Sequence, residues 1–265
     1  MDYTAGDNIK IFGERTVINF QTWNENKVDA QIEIISKHEI KRQARRDLDV
    51  LNVVFEKKGK SITYSNSIQI NENDEKPKSN IKVYLTLMVP ENASLEVTNK
   101  FGEIIGTGTL SELEITSQFC TSVLDYYAGN MYLNTKYDDI KIEHSKGEFE
   151  IEGDRTDIKL LKVSGKVDLD LEFGSIDVTY SPLASRYSIN SEYSPITIYL
   201  PSDLKVYQEY NCKNCLISTD RFEKKIKKTN NLILGSPKNS ISRSKINSKS
   251  KDINIISINQ ISNLP

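Results

Sequence analysis

The sequence predicts an all-β chain: a parallel β-solenoid of the single-stranded, right-handed β-helix-like kind, with 18-residue coils behind an N-terminal β-rich cap containing one α-helix. Three observations predict it. First, Leu95, Leu113, Met131, Phe149 and Val167 recur at an interval of 18, as do Val97, Ile115, Leu133, Ile151 and Leu169. Ile104, Ile140, Ile158 and Ile176 keep the same beat with Ser122 as the lapse, and so do Phe101, Phe119, Tyr137, Arg155 and Phe173. A period this short marks stacked units, each too small to bury its own apolar face. Second, the period inside each unit is two, as in Met131 to Tyr137 and then Ile140 to Ile142, the pattern of half-buried strands. Third, Gly129, Gly147 and Gly165 mark a turn in three successive units, where positive φ is cheapest for glycine. Parallel stacking sets residues i and i+18 one strand spacing apart, roughly 4.8 Å.

Ahead of the repeats, Asn8 to Phe12, Thr16 to Trp23 and Lys27 to Ser36 read as strands. His38 to Leu51 reads as a helix, with Ile40, Ala44, Leu48 and Leu51 on one face and Lys41, Arg42, Arg45, Arg46 and Asp49 elsewhere. A hairpin turns at Lys57 to Lys60, a polar loop runs from Asn71 to Asn80, and Ile81 to Val89 alternates up to Pro90. A bare strand edge pairs with other chains, so a solenoid needs covered ends. Residues 1–90 are therefore read as the cap and 91–218 as the repeats. Within these, Tyr187 to Leu200 repeats the pattern in Ile189, Tyr193, Ile196 and Ile198 at a spacing of 20, after an insertion at Ser181-Pro182. Residues 219–265 read as an irregular basic segment and a final coil or cap, because Ile246 to Ile255 superimposes on Leu133 to Ile142.

With 265 residues, 27% of them charged, and a net charge of -2, the chain suits one elongated domain and has no strongly basic surface for nucleic acid. The charge is uneven: residues 221–265 carry +8 and residues 1–220 carry -10. The Arg221 to Lys228 cluster reads as a solvated loop, the alternative being contact with an acidic polymer or membrane. No apolar stretch approaches the ~20 residues of a membrane-crossing helix. The opening Met-Asp-Tyr-Thr-Ala-Gly-Asp has an acid where a signal peptide needs bases, so no export signal is expected in this chain. That leaves a cytosolic protein and a mature exported domain both open.

Asn99-Lys-Phe-Gly-Glu-Ile, Thr135-Lys-Tyr-Asp-Asp-Ile and Glu172-Phe-Gly-Ser-Ile resemble the N-K-[FY]-G-x-[IV] unit of a bacterial "putative adhesin" domain family of unknown function. Phe12 to Trp23, followed by Asn26-Lys-Val28 and a helix, resembles the opening strand pair of that family. The resemblance covers most of residues 8–200 and extends more weakly to 256. It implies a cell-envelope location, an envelope protein or glycan as partner, and no catalytic residues to carry over.

The residues themselves offer few sites. A hexapeptide acyltransferase also has 18-residue coils, but the series Leu95, Phe101, Thr107, Leu113, Phe119, Asp125 fails at every third member. His144 has no histidine or cysteine partner in its column and reads as a turn residue beside Tyr126 and Tyr180, not a base. Acids recur outward at Glu96, Glu114, Glu150 and Asp168, with Tyr132 interrupting, and at Glu103, Asp139 and Asp157. They read as solvated faces, with Lys141 and Lys159 placed to relieve the second column. Arg155 in an aromatic column implies an exposed corner, or stacking between Tyr137 and Phe173 with Asp154 or Asp157 as partner. Cys212 and Cys215 supply two of the four ligands that structural zinc needs, and Cys120 lies about five coils away, so no metal or other cofactor is expected. An exported protein would admit a local disulfide there, and a cytosolic one inert thiols. The leading reading is a non-catalytic envelope scaffold that binds through surface residues such as Tyr126, Tyr132 and Tyr180. The alternatives are a polysaccharide-active β-helix enzyme, which demands a groove with converging acids, and an intracellular interaction scaffold.

Overall fold

Strict alternation gives strands from the first residues onward. β1 (Asn8–Glu14) and β2 (Thr16–Trp23) bury Ile9, Ile11, Ile18 and Phe20 on one side, and the chain turns between them at Arg15, whose φ is 54°. The computed structural model describes residues 1–69, 76–202, 205–220, 230–235, 240 and 242–258. The first half of the expected 71–80 loop, the Arg221 to Lys228 cluster and residues 259–265 lie outside these. β3 (Asp29–Lys37) follows, and then the helix, which is shorter than the periodicity predicts: α1 covers only Lys41–Arg46. No side chain caps its N-terminus, none of its residues is buried, and Ile40, expected on the apolar face, is 63% exposed. An uncapped segment with no buried stripe has nothing to propagate it, and Leu51 already opens a strand.

The turn after α1 is fixed by Asp47. Its buried carboxylate accepts hydrogen bonds from Ser79 Oγ (2.6 Å), Ser79 N (2.8 Å), Lys78 N (2.9 Å) and Gln43 Nε2 (2.6 Å). The Ser79 hydroxyl, foremost among these donors, holds the carboxyl below its usual range despite burial. A depressed folded-state pKa contributes stability that is present above the unfolded carboxylate value and lost as pH falls through the folded one. Asp47→Asn is therefore expected to lower the melting temperature at pH 7. The gap from wild type should close as pH drops below ~4; a gap independent of pH would show that the charge of Asp47 plays no part.

β4 (Leu51–Lys58) and β5 (Ser61–Ile68) form the expected antiparallel hairpin. β6 (Asn80–Pro90), β7 (Ser94–Lys100), β8 (Glu103–Gln118), β9 (Thr121–Lys136), β10 (Asp139–Glu143), β11 (Lys146–Glu192), β12 (Ile196–Pro201), β13 (Val206–Lys213), β14 (Ile217–Thr219), β15 (Asn231–Leu234), β16 (Ser242–Lys249) and β17 (Ile253–Ile258) complete one all-β sheet whose pairings are mostly parallel. The register follows the sequence beat: Leu95 pairs Leu113, Leu113 pairs Met131, and Met131 pairs Phe149. All four are buried, as are Val97, Ile115, Leu133 and Ile151 beside them. Ser122, the lapse in the isoleucine column, pairs Ile104 and Ile140, and its buried hydroxyl has no hydrogen-bond partner. The spacing of 20 is equally plain, since Ile176 pairs Ile196.

Spatial order departs from chain order at both ends. β1 lies between β5 and β7, and β2 between β6 and β8, all parallel. Residues 8–23 thus pair in parallel register with later strands, and the antiparallel strands at this end are β3 against β6 and β4 against β5. At the other end β16 lies between β11 and β13, and β17 between β12 and β14, with β15 antiparallel on β13. The segment that superimposes on Leu133 to Ile142 does form a pair of parallel strands, but inside the sheet and not at its end. Each terminal strand pair is held on both sides.

The column Phe101, Phe119, Tyr137, Arg155, Phe173 occupies an exposed corner, not the core. Every member has φ between 53° and 59°, and Arg15, Tyr193, Asn214 and Ser250 continue the left-handed corner with φ up to 71°. A left-handed non-glycine residue costs roughly 1–2 kcal/mol, and ring stacking returns about 0.5–1.5 kcal/mol per pair. Phe101 and Phe119 stack at 5.2 Å, Phe119 and Tyr137 at 4.8 Å, and Phe173 and Tyr193 at 5.1 Å. Arg155 bridges the gap, its guanidinium 5.4 Å from the Tyr137 ring centre and 5.0 Å from that of Phe173, while Nη1 donates to both carboxylate oxygens of Asp154. At Gly129 and Gly165 φ is positive as expected. Gly147 has another reason: a Cβ there would lie 1.8 Å from the carbonyl oxygen of Gly129.

Candidate binding groove

The three tyrosines expected to form a surface do not converge. Tyr126 stands 66% exposed at a corner, stacked at 4.8 Å on His144, whose Nδ1 is 3.0 Å from Asp125 Oδ1. Tyr132 is exposed on a sheet face, paired with Glu114 and Glu150. Tyr180 corrects the expectation: it is fully buried, donates to Ser244 Oγ at 2.7 Å and packs 4.7 Å from the Tyr187 ring, so it neither reaches solvent nor flanks His144. Burial pushes both phenols upward.

The acidic columns are in register as expected, and several of their carboxylates have partners in the chain itself. Lys10 pairs with Glu96, Lys166 with Asp168 and Lys82 with Glu103 at 3.0 Å. Ser175 Oγ donates to Asp157 at 2.6 Å. Lys141 departs from expectation by reaching along its own strand to Glu143. Among the described residues no group of three or more His, Cys, Asp or Glu is placed to hold a metal ion. Cys212 and Cys215 are joined as a disulfide around the corner residue Asn214. Cys120 is buried, and burial raises its thiol pKa, which keeps it protonated. The interposed β16–β17 repeat puts six strand spacings, not five, between Cys120 and Cys215 along that corner, roughly 29 Å.

The feature that sequence reasoning missed is a groove of about 880 Å³ on the sheet face beside the aromatic corner. Its floor is one outward column followed across seven strands: Asn134, Glu152, Asp170, Asn190, Asn247, Asn211 and Asn231, all lining residues. Pairing registers fix most of this order, Asn134 against Glu152, Asn190 against Asn247, and Asn211 against both Asn247 and Asn231. Side chains link it: Asn190 Nδ2 donates to Asp170 (2.7 Å), Asn247 Nδ2 to Asn190 (2.8 Å) and Asn211 Nδ2 to Asn247 (3.1 Å). Gly153 contributes no side chain to the wall, which helps keep the groove open.

A second column, two residues along and next to the corner, carries the charge. Lys136 donates to Asp154 at 2.8 Å, and Lys249 pairs with Glu192. The Lys136 ammonium beside Asp154, with Arg155 in support, holds that carboxyl below the usual range. Glu192 raises the pKa of Lys249, with Glu172 adding to it. One signal was available in the sequence: the superposition of Ile246 on Leu133 also places Asn247 on Asn134. What it could not give was the interleaved order that makes Asn190, Asn247 and Asn211 neighbours.

This is an all-β protein with a mostly parallel sheet, a polar groove and, among the described residues, no helix long and apolar enough to cross a membrane. No family model and no curated protein matches the sequence. Among solved structures, the crystal structure of a "putative cell adhesion protein" from Clostridium sporogenes ATCC 15579 is similar to this chain at 12% identity and a TM-score of 0.30, covering 96% of this chain and 94% of the other. A likeness that loose decides nothing about fold or function.

Proposed function

We propose that the parallel repeats form a β-solenoid that works without catalysis, as an adhesin-type scaffold binding a partner at the cell envelope. The observation that carries the reading is the groove, where one surface chemistry is repeated strand after strand and weak contacts add along an extended partner. The Cys212–Cys215 disulfide supports an oxidising compartment outside the cytosol.

The groove also favours a second reading, a polysaccharide-cleaving enzyme, because five carboxylates line it. Protonating a leaving oxygen needs a carboxyl with raised pKa. Asp154 is shifted the opposite way, Glu192 is paired with Lys249, and Asp170 accepts from Asn190. The carboxyl that burial does push up, Asp138, is committed to Ser117 Oγ and Cys120 N beneath the surface. Purified full chain incubated with bacterial envelope fractions should co-sediment with them saturably and release no reducing ends. Release of reducing ends that is abolished by Glu152→Gln or Asp170→Asn would replace the scaffold with the enzyme.

A further inference from the structure

We infer that the groove is a binding site for an extended, uncharged glycan chain lying along the stacking direction. This inference rests on the scaffold reading and names the ligand class. Part of the floor column is tied side chain to side chain, Asp170 to Asn190 to Asn247 to Asn211, so these three amides are oriented by their neighbours. An amide held this way turns its remaining N–H and carbonyl lone pair outward, at intervals of one strand spacing, ~4.8 Å. A ligand that meets such a row must donate and accept at every step. Sugar hydroxyls do both, and a β-1,4-linked hexopyranose chain advances by close to one strand spacing per ring. Seven strands then give a site for about six sugars.

Other extended partners fit less well. A nucleic acid or other polyanion meets Glu152, Asp154, Asp170, Glu172 and Glu192, which outnumber the lining lysines. An extended peptide gains affinity by adding to a free strand edge, and the strands under this floor are paired on both sides, from Asn134 to Asn211. The rim supplies an apolar border of suitable kind. Tyr137 and Tyr193, 40% and 42% exposed, stack along the corner immediately beyond the charged column, so ring edges, not faces, line the approach.

The test uses the full chain and calorimetric titration with cellohexaose, chitohexaose and, as a polyanion, inorganic polyphosphate of similar length. Binding of at least one hexasaccharide with no binding of polyphosphate is expected. Asn190→Ala combined with Asn134→Ala should weaken it at least tenfold, while Glu33→Ala on β3 leaves it unchanged. Because Asn190 belongs to the linked row, Glu152→Arg is the companion variant: its side chain lines the groove outside that row, it obstructs the groove from one position, and it should abolish binding with the far-ultraviolet spectrum retained. Polyphosphate binding in place of the hexasaccharides overturns the assignment. Two further outcomes separate this inference from the scaffold reading. If envelope fractions are bound but binding is destroyed by protease and no hexasaccharide binds, the glycan assignment falls and the scaffold stands. If neither fractions nor hexasaccharides bind, both fall.

Discussion

A chain ended after residue 235, lacking β16 and β17, is expected to lose the strand structure of residues 206–219 and 231–234 and not merely a tail. The deleted pair is internal: among the described residues β14 pairs only β17, and β13 keeps only the antiparallel β15. It also removes Ile246, Ile253 and Ile255, each essentially fully buried. At roughly 1.5–3 kcal/mol per buried side chain, those three alone contribute about 5–9 kcal/mol, comparable with the total stability of a typical domain. Hydrogen exchange should show Tyr210 and Ile217 amides unprotected in the truncated chain, and the edge exposed at residues 187–201 should promote association. Retained protection at Tyr210 would mean that the terminal pair is an appendage.

Gly147→Ala is expected to be strongly damaging, costing at least the 1–3 kcal/mol of overpacking and more because the obstacle is backbone. The added carbon would meet the Gly129 carbonyl at 1.8 Å, and a carbon added at Gly129 would in turn meet the Leu110 carbonyl at 2.0 Å, so adjacent strands approach too closely here for a side chain at either glycine. Gly59→Ala is the contrast. Its φ is +60° but nothing lies within 4 Å of the new carbon, so it should cost only the backbone penalty, ~1 kcal/mol. Chemical denaturation of the two variants checks the ranking, and equal losses would contradict close stacking at the glycine column.

The columns were legible because a parallel register turns sequence period directly into contact, so Leu95 to Phe149 could be aligned with no knowledge of the third dimension. Arg155 was legible for the same reason, as an unpaired guanidinium could enter an aromatic column only at a wet corner. The helix was overread because its apolar spacing has no deep face to meet, and the cue that holds its end, Asp47 with Ser79, joins residues 32 apart across the 71–75 stretch. Tyr180 was misplaced because it was read by its 18-residue column with the corner residues Tyr126 and His144, whereas alternation with buried Ile176 and Val178 puts it inside. The groove stayed hidden for a topological reason: its floor takes Asn190, then Asn247, then Asn211, an order in space that no linear period encodes.

The claim on which everything else rests is that each 18 residues advance the chain by one parallel strand. Spin labels on cysteines substituted at outward positions test it directly, since Cys120 is buried and Cys212 is bonded to Cys215. The pairs Glu114 with Tyr132, Glu114 with Glu150 and Glu96 with Glu150 span one, two and three repeats, so backbone separations of roughly 4.8, 9.6 and 14 Å are predicted, in that order. Dipolar broadening that decreases stepwise from the first pair to the third is the expected result. Distances unrelated to the number of repeats, or a first pair as far apart as the third, would contradict the parallel stack.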